Sequence, residues 1–175
     1  MKKGQTKLMK NIILIGMPGA GKSTIGVILA KVLGFSFIDS DILIQEQEGM
    51  LLKDIIASKG IDGFRQVENQ VNRDIKTDKS VIATGGSIVY CPEAMEHLGN
   101  IGVVVYIKLD YETINKRLKD IRKRGVVFRE GQTLEHLYDE RKTLYEKYAK
   151  VIVDGDGLSI EELMAKIVDS VKGYI

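Results

Sequence analysis

The sequence predicts an α/β fold, a parallel sheet with helices on both faces. Short apolar runs rich in β-branched residues alternate with amphipathic stretches along the whole chain. Strands that alternate with helices are joined by crossovers, and the crossovers lay the helices over the sheet. A glycine-rich loop joins the first apolar run to the first amphipathic stretch, which punctuates a strand–loop–helix unit. The length of 175 residues, 44% of them hydrophobic and 29% charged, suits one domain with a real core.

Taken in order, residues 11–16 read as a buried strand. Residues 22–33 read as a helix, with Ile25, Ile28, Leu29 and Val32 at the spacing of a buried face, and Gly34 is placed to end it. Residues 36–38 form a short strand ending at Asp39. Two short helices follow, 41–48 and 51–58, separated by Gly49, and then a longer one over 62–76. A strand over 80–84 is broken by Gly85 and Gly86. Pro92 opens a helix over 92–98. The strongest strand spans 101–109, and Asp110 can cap the helix that runs on to about residue 121. Residues 122–133, which include Gly125 and Gly131, show no period and read as a mobile loop. A helix over 134–148, a strand over 151–153 and a helix over 159–171 complete the pattern. Residues 1–9 read as a tail and 10–175 as a single domain.

The net charge of +2 is too small for a nucleic-acid or membrane surface, and there is no aromatic-rich basic strand pair of the kind that binds nucleic acid. No apolar stretch approaches the roughly 18 residues that span a bilayer. Lys2, Lys3, Lys7 and Lys10 precede the apolar residues 12–15, but that run is too short for a signal peptide, and a glycine-rich loop stands where a cleavage site would be. Cys91 is the one cysteine, so no internal disulfide is expected, and the count fits a reducing compartment. With Pro92 after it and no Cys/His cluster around it, Cys91 reads as a packing residue, not a reactive thiol. A cytoplasmic protein is expected.

Gly16-Met17-Pro18-Gly19-Ala20-Gly21-Lys22-Ser23 matches G-x-x-x-x-G-K-S between a predicted strand and a predicted helix. In that context the pattern binds a nucleoside triphosphate. The glycines let backbone N–H groups turn inward toward phosphate oxygens, and the helix that starts near Gly21 adds its positive end. Lys22 is placed for the β- and γ-phosphates and the Ser23 hydroxyl for Mg²⁺.

Ligands of parallel α/β sheets bind beyond the C-terminal strand ends, and Asp39, Asp41, Gly85 and Gly86 all fall there. Of the two aspartates, one can hold a metal while the other orients or deprotonates an attacking hydroxyl; Asp41 can equally be a helix N-cap. Glu68 lies three residues after Arg65 and can pair with it, as an orienting contact or a plain surface ion pair. Paired glycines after a strand admit a ligand close to the backbone, or simply turn the chain. Arg117, Arg122, Lys123, Arg124 and Arg129 lie in or around the expected loop, with Arg141 on the next helix. They make either a cationic lid for a polyphosphate or a solvated basic face.

Together these residues resemble the shikimate kinase family, within the nucleoside-monophosphate-kinase-like P-loop kinases. The likeness runs from about residue 10 to 173. It rests on the stretch from Gly16 to Thr24, on Phe37-Ile38-Asp39-Ser40-Asp41, on Gly63-Phe64-Arg65 through Glu68, on Ala83-Thr84-Gly85-Gly86, and on Arg141 through Tyr145. The resemblance implies a three-layer fold with five parallel strands in order 2-3-1-4-5, an acceptor-binding helical region over about 41–76 and a lid over about 121–133. It implies ATP and Mg²⁺, with Gly16, Gly19, Ala20, Gly21, Lys22, Ser23 and Thr24 around the phosphates and Arg117 flanking the adenine. Ser23 and Asp39 would serve the metal, Asp41 would be the base, and Arg124 would reach the phosphates from the lid. Arg65 and Arg141 would grip the acceptor's carboxylate, and Gly85 and Gly86 would meet the acceptor through backbone. The implied reaction is phosphorylation of shikimate at its 3-hydroxyl, a step of aromatic amino-acid biosynthesis, by a monomer. Ser87 stands where the family usually has a third glycine, and Gly125 where proline follows the lid arginine. The usual glutamate before the Phe-Arg pair and a proline near the adenine, within 154–158, are missing. Ser87 narrows and polarises the acceptor pocket, which keeps another hydroxy-acid such as homoserine or gluconate in view as acceptor. A nucleotide-dependent switch without turnover is the rival from another class.

Overall fold

The computed structural model describes residues 11–119 and 129–175. The strands are β1 (Asn11–Ile15), β2 (Ser36–Asp39), β3 (Ser80–Ala83), β4 (Gly102–Lys108) and β5 (Val151–Asp154). All pair in parallel, in the order β2-β3-β1-β4-β5. β1 is central: Ile13 faces Ile82 on one side and Val104 on the other. Ile12, Ile13, Leu14 and Ile15 are fully buried, because helices cover both faces of a parallel sheet. The Asn11 side chain ties the bottom of the sheet together. Its Nδ2 donates to Thr77 O and Ile101 O, and its Oδ1 accepts from Ser80 N.

The helices are α1 (Lys22–Leu33), α2 (Ser40–Glu48), α3 (Leu52–Arg73), α4 (Pro92–Ile101), α5 (Tyr111–Lys119), α6 (Leu134–Tyr148) and α7 (Ile160–Val171). On α1 the expected buried face is shifted. Ile25 and Leu29 are buried, but Val32 is 56% exposed, and Gly26 and Ala30 take the inward positions. A Cβ on Gly26 would lie 2.6 Å from Phe37 Cε2, so the smallest side chain, not the apolar one, sets the approach of α1 to β2. The two helices expected over 51–58 and 62–76 form one run, α3, with a non-helical joint at Gly60 (φ 69°, ψ 179°). Ile101 closes α4 instead of opening β4. A 3₁₀ turn, Ile88–Tyr90, follows Ser87 and was not visible as a period in the sequence.

Besides the main core around the sheet, Ile44, Ile55, Phe64 and Val71 of α2 and α3 form a small second core. Cys91 is buried, and burial pushes its thiol up to about 12, in keeping with a packing role. No helix among the described residues is long and apolar enough to cross a membrane. Most of the expected lid, including Arg122, Lys123, Arg124 and Gly125, lies outside the described residues.

Candidate active site

The glycine-rich loop joins β1 to α1, and its conformation requires its glycines. Gly16, Gly19 and Gly21 have φ of 149°, 81° and 89°. Gly21 is the N-cap of α1 with no side-chain cap, so the first N–H groups of the helix are left for a ligand. Lys22 is buried and its Nζ donates to Gly16 O at 2.7 Å and Met17 O at 2.9 Å, tying the loop to itself. Burial lowers its pKa to about 8 against the attraction of Asp41 and Asp39, and Arg141 lowers it further. Among the described residues no carboxylate lies within 4.0 Å of this ammonium.

Ser23 Oγ donates to Asp39 Oδ2 at 2.7 Å. Asp39 Oδ1 accepts from Asp41 N at 3.0 Å, which makes Asp39 the N-cap of α2. The capping role considered for Asp41 therefore falls to Asp39, because α2 starts at Ser40, one residue earlier than expected. Asp41's carboxyl instead faces a cavity of about 470 Å³. Burial, and then the Asp39 carboxylate, raise it to about 6, while Lys22 pulls it down.

Gly85 and Gly86 are the hub of this cavity. A Cβ on Gly85 would lie 2.6 Å from Glu68 Oε1 and 3.0 Å from Asp41 Oδ1. On Gly86 it would lie 2.6 Å from Pro18 Cδ and 3.1 Å from an Arg141 guanidinium nitrogen. The glycine pair thus brings α2, α3, the phosphate loop and α6 to one place. Tyr145 OH fixes it by donating to Gly86 O at 2.6 Å.

Glu68 is fully buried. Its expected partner, Arg65, is not within ion-pair distance among the described residues; Glu68 Oε2 instead accepts from Ser87 Oγ at 2.6 Å. Arg65 lies with its guanidinium 3.9 Å from the centroid of the Tyr90 ring and does not line the cavity. Burial pushes Glu68 up to about 7, against the Ser87 hydrogen bond and the nearby Arg141 and Arg65. Its Oε1 has no hydrogen-bond partner. Arg141 lines the cavity, is only 2% exposed, and its Nε also has no partner. Among the described residues no carboxylate lies within 4.0 Å of it.

A second cavity, of about 240 Å³, lies on the other side of the loop and is lined by Ala20, Leu109, Arg117, Leu158 and Leu163 among others. Gly21 and Thr24 line both cavities. Arg117 Nη1 donates to Gly19 O at 2.9 Å, tying this apolar-walled space to the phosphate loop. The structure therefore brings Lys22, Asp41, Gly85, Gly86 and Arg141 to one cavity and Ala20 and Arg117 to the other, with the loop between. Ser23 and Asp39 meet at the edge of the first; Arg65 stands off it; Arg124 is outside the described residues. Sequence reasoning put Ser87 in the pocket but not its bond to Glu68, and it missed Glu68 as a cavity residue, Tyr145 as the support of Gly86 and Tyr90 beside the arginines. The glycine pair signalled a close approach but not by what.

The fold, with a phosphate loop between two cavities, defines a P-loop nucleotide-binding protein with room for a second ligand. The shikimate kinase family model matches residues 18–172. Shikimate kinase from Thermodesulfovibrio yellowstonii is 37% identical over 163 residues, 91% of this chain and 94% of the relative. That from Francisella tularensis subsp. novicida is 39% identical over 162 residues, 90% of this chain and 92% of the relative. The solved structure of shikimate kinase from Acinetobacter baumannii in complex with shikimate superposes with a TM-score of 0.86 at 31% identity, covering 94% of both chains. The chain belongs to the shikimate kinase family.

Proposed function

We propose that this chain transfers the γ-phosphoryl group of ATP to the 3-hydroxyl of shikimate. One observation carries the acceptor's chemistry. A buried Arg141 without a carboxylate partner among the described residues faces the cavity that Asp41 also lines. A buried cation calls for an anion, and an acceptor carrying one carboxylate and one hydroxyl satisfies both residues.

In this reading the triphosphate lies along the loop, with the base in the cavity of Leu109, Arg117 and Leu158 and the γ-phosphate toward Asp41. Lys22 leaves the carbonyls of Gly16 and Met17 for the β- and γ-phosphates. Backbone N–H groups of the loop and the start of α1, Pro18 having none, meet the remaining phosphate oxygens, and by the family resemblance Arg124 would reach the phosphates. Asp41 orients the acceptor hydroxyl and takes its proton. The hydroxyl oxygen forms a bond to phosphorus while the bond from phosphorus to the β–γ bridging oxygen breaks, releasing ADP. Arg65 and Arg141 hold the acceptor carboxylate, and Gly85 and Gly86 present backbone to its ring. Positioning and charge stabilisation carry the rate.

The Ser23–Asp39 pair fits a magnesium ion. A hydroxyl and a carboxylate oxygen are hard donors, and among the described residues Asp39 Oδ2 is held by the exchangeable Ser23 hydroxyl. Few protein oxygens are what Mg²⁺ takes when phosphates complete its shell. When bound it would neutralise charge on the β- and γ-phosphates. The small core of Ile44, Ile55, Phe64 and Val71 supports reading α2 and α3 as an acceptor-binding region within one domain. A monomer working in the cytoplasm, without nucleic-acid or membrane partners, completes the proposal.

An ADP-coupled assay with a panel of shikimate, homoserine and gluconate tests it. Turnover is expected on shikimate. Turnover confined to another acid would replace the acceptor, and tight ATP binding with no acceptor-stimulated consumption would favour a switch.

A further inference from the structure

Tyr90 occupies a position that the phosphoryl chemistry leaves unexplained. It ends the 3₁₀ turn that follows Ser87, and it does not line the acceptor cavity. Two arginines from different helices nevertheless converge on its ring. The Arg65 guanidinium of α3 lies 3.9 Å from the ring centroid, and the Arg141 guanidinium of α6 lies 5.4 Å from it. Both are within the roughly 6 Å at which an aromatic face attracts a cation. The phenol hydroxyl donates to Glu140 Oε1, on the residue next to Arg141. One ring thus touches α3 through its face and is tethered to α6 through its edge.

Arg141 is also hydrogen-bonded to the Tyr145 and Tyr90 hydroxyls, so Tyr90 is one of two tyrosines that hold it, while Arg65 rests on the Tyr90 ring. Both Nε atoms are buried without a hydrogen-bond partner. Among the described residues neither guanidinium has a carboxylate within 4.0 Å. The nearby Glu68 lies beyond ion-pair distance of both, with its Oε2 engaged by Ser87. Two cations that repel one another, on long side chains with many rotamers, would disperse without a shared anchor. Fixing them before the acceptor arrives removes part of the entropy that binding would otherwise cost.

We propose that Tyr90 is a positioning residue for recognition of the acceptor's carboxylate, its ring face holding Arg65 and Arg141 together without itself touching the acceptor. This rests on the proposed shikimate reaction. It predicts that Tyr90 governs affinity for the charged group specifically, leaving the nucleotide and the transfer step alone.

The test compares the wild type with Tyr90→Leu and Tyr90→Phe, using shikimate and its methyl ester, which keeps the hydroxyls but lacks the charge. Y90L should raise the KM for shikimate roughly tenfold, with kcat and the KM for ATP within about twofold. Its kcat/KM on the ester should stay near that of the wild type, so the preference for acid over ester shrinks by about the same factor. Y90F keeps the aromatic face and should restore most of the preference. Equal losses on acid and ester would mean a merely structural role and overturn the proposal; so would an unchanged preference, or a Y90F variant as impaired as Y90L. Tyr90→Met fills similar space without a π face and takes the place of Y90L if a thermal melt shows that variant unfolded. A wild type inert toward shikimate would defeat the reaction itself, whereas an active wild type with an indifferent Y90L defeats only the role of Tyr90.

Discussion

Ser87 Oγ donates to Glu68 Oε2 at 2.6 Å, and both residues are buried in the wall of the acceptor cavity. Where the family usually has glycine, the hydroxyl supplies a donor to a carboxyl that burial works to protonate. The balance between those two effects decides the charge of the pocket near neutral pH, so it can be tested without a substrate.

Glu68 is raised from its ordinary 4.5 to about 7, first by burial. The folded chain therefore holds a proton there that the unfolded chain has already released. Its contribution to stability is complete below about 4.5 and is lost as pH rises through about 7. Thermal melts of wild type should show Tm falling across that window relative to Glu68→Gln, which cannot ionise. Asp41, raised from 3.8 to about 6, adds a fall of the same sign at lower pH that E68Q keeps. Ser87→Ala removes the bond that favours the ionised form, so its Tm should fall further behind wild type at pH 8 than at pH 5, by about 1–3 kcal/mol of stability at the alkaline end. Parallel Tm–pH curves for wild type and E68Q would show that Glu68 does not titrate in this range.

Asp41→Asn should lower kcat by roughly 10²-fold or more if the carboxylate takes the hydroxyl proton, with ATP affinity nearly unchanged. The structure sharpens this expectation. Asp39 caps α2 and meets Ser23, so Asp41 can be altered without removing the cap or the metal-site oxygens. A change in ATP affinity alone would reassign Asp41 to the metal.

How much of this was legible beforehand depends on the range of the forces involved. β1 could be read because a strand buried on both faces is a continuous apolar run. The phosphate loop could be read because its glycines and lysine are consecutive. The strand order was not carried by periodicity and came with the family resemblance. Between Asp39 and Asp41 the capping role turns on a single residue in where α2 begins, finer than any hydrophobic pattern resolves. Val32 was misplaced because the close approach of Gly26 to Phe37, not hydrophobicity, orients α1. Glu68 was given to Arg65 three residues away, because local spacing cannot see Ser87, which reaches it only when β3 lies between β2 and β1. Tyr90 sits in a turn of three residues, too short to have a period at all.

Arg65→Ala and Arg141→Ala should both raise the KM for the acceptor and leave that for ATP nearly alone. The two should differ in stability. Arg141 is buried and has no carboxylate within 4.0 Å among the described residues, so removing its charge relieves a desolvation cost while opening a void, and Tm should change little. Loss of ATP affinity in either variant, with the acceptor KM unchanged, would move that arginine to the nucleotide side.

Gly86→Ala tests whether the cavity is as tightly closed around the glycine pair as the geometry indicates. The new methyl would lie 2.6 Å from Pro18 Cδ and 2.8 Å from its Cγ. A proline ring cannot rotate away, so the phosphate loop or the turn after β3 must shift. The turn is itself held by the Tyr145 hydroxyl on Gly86 O, which directs the displacement toward the loop. Overpacking of this kind costs about 1–3 kcal/mol. Because the displaced atoms sit between nucleotide and acceptor, kcat should fall by roughly 10²-fold, with the affinities for both substrates reduced. Gly85→Ala meets side chains instead, Glu68 Oε1 at 2.6 Å and Asp41 Oδ1 at 3.0 Å, with Glu68 held on its other oxygen by Ser87. It should spare ATP affinity and impair acceptor use. If both alanine variants kept wild-type kcat/KM for both substrates, the turn after β3 would not be the floor of the acceptor site.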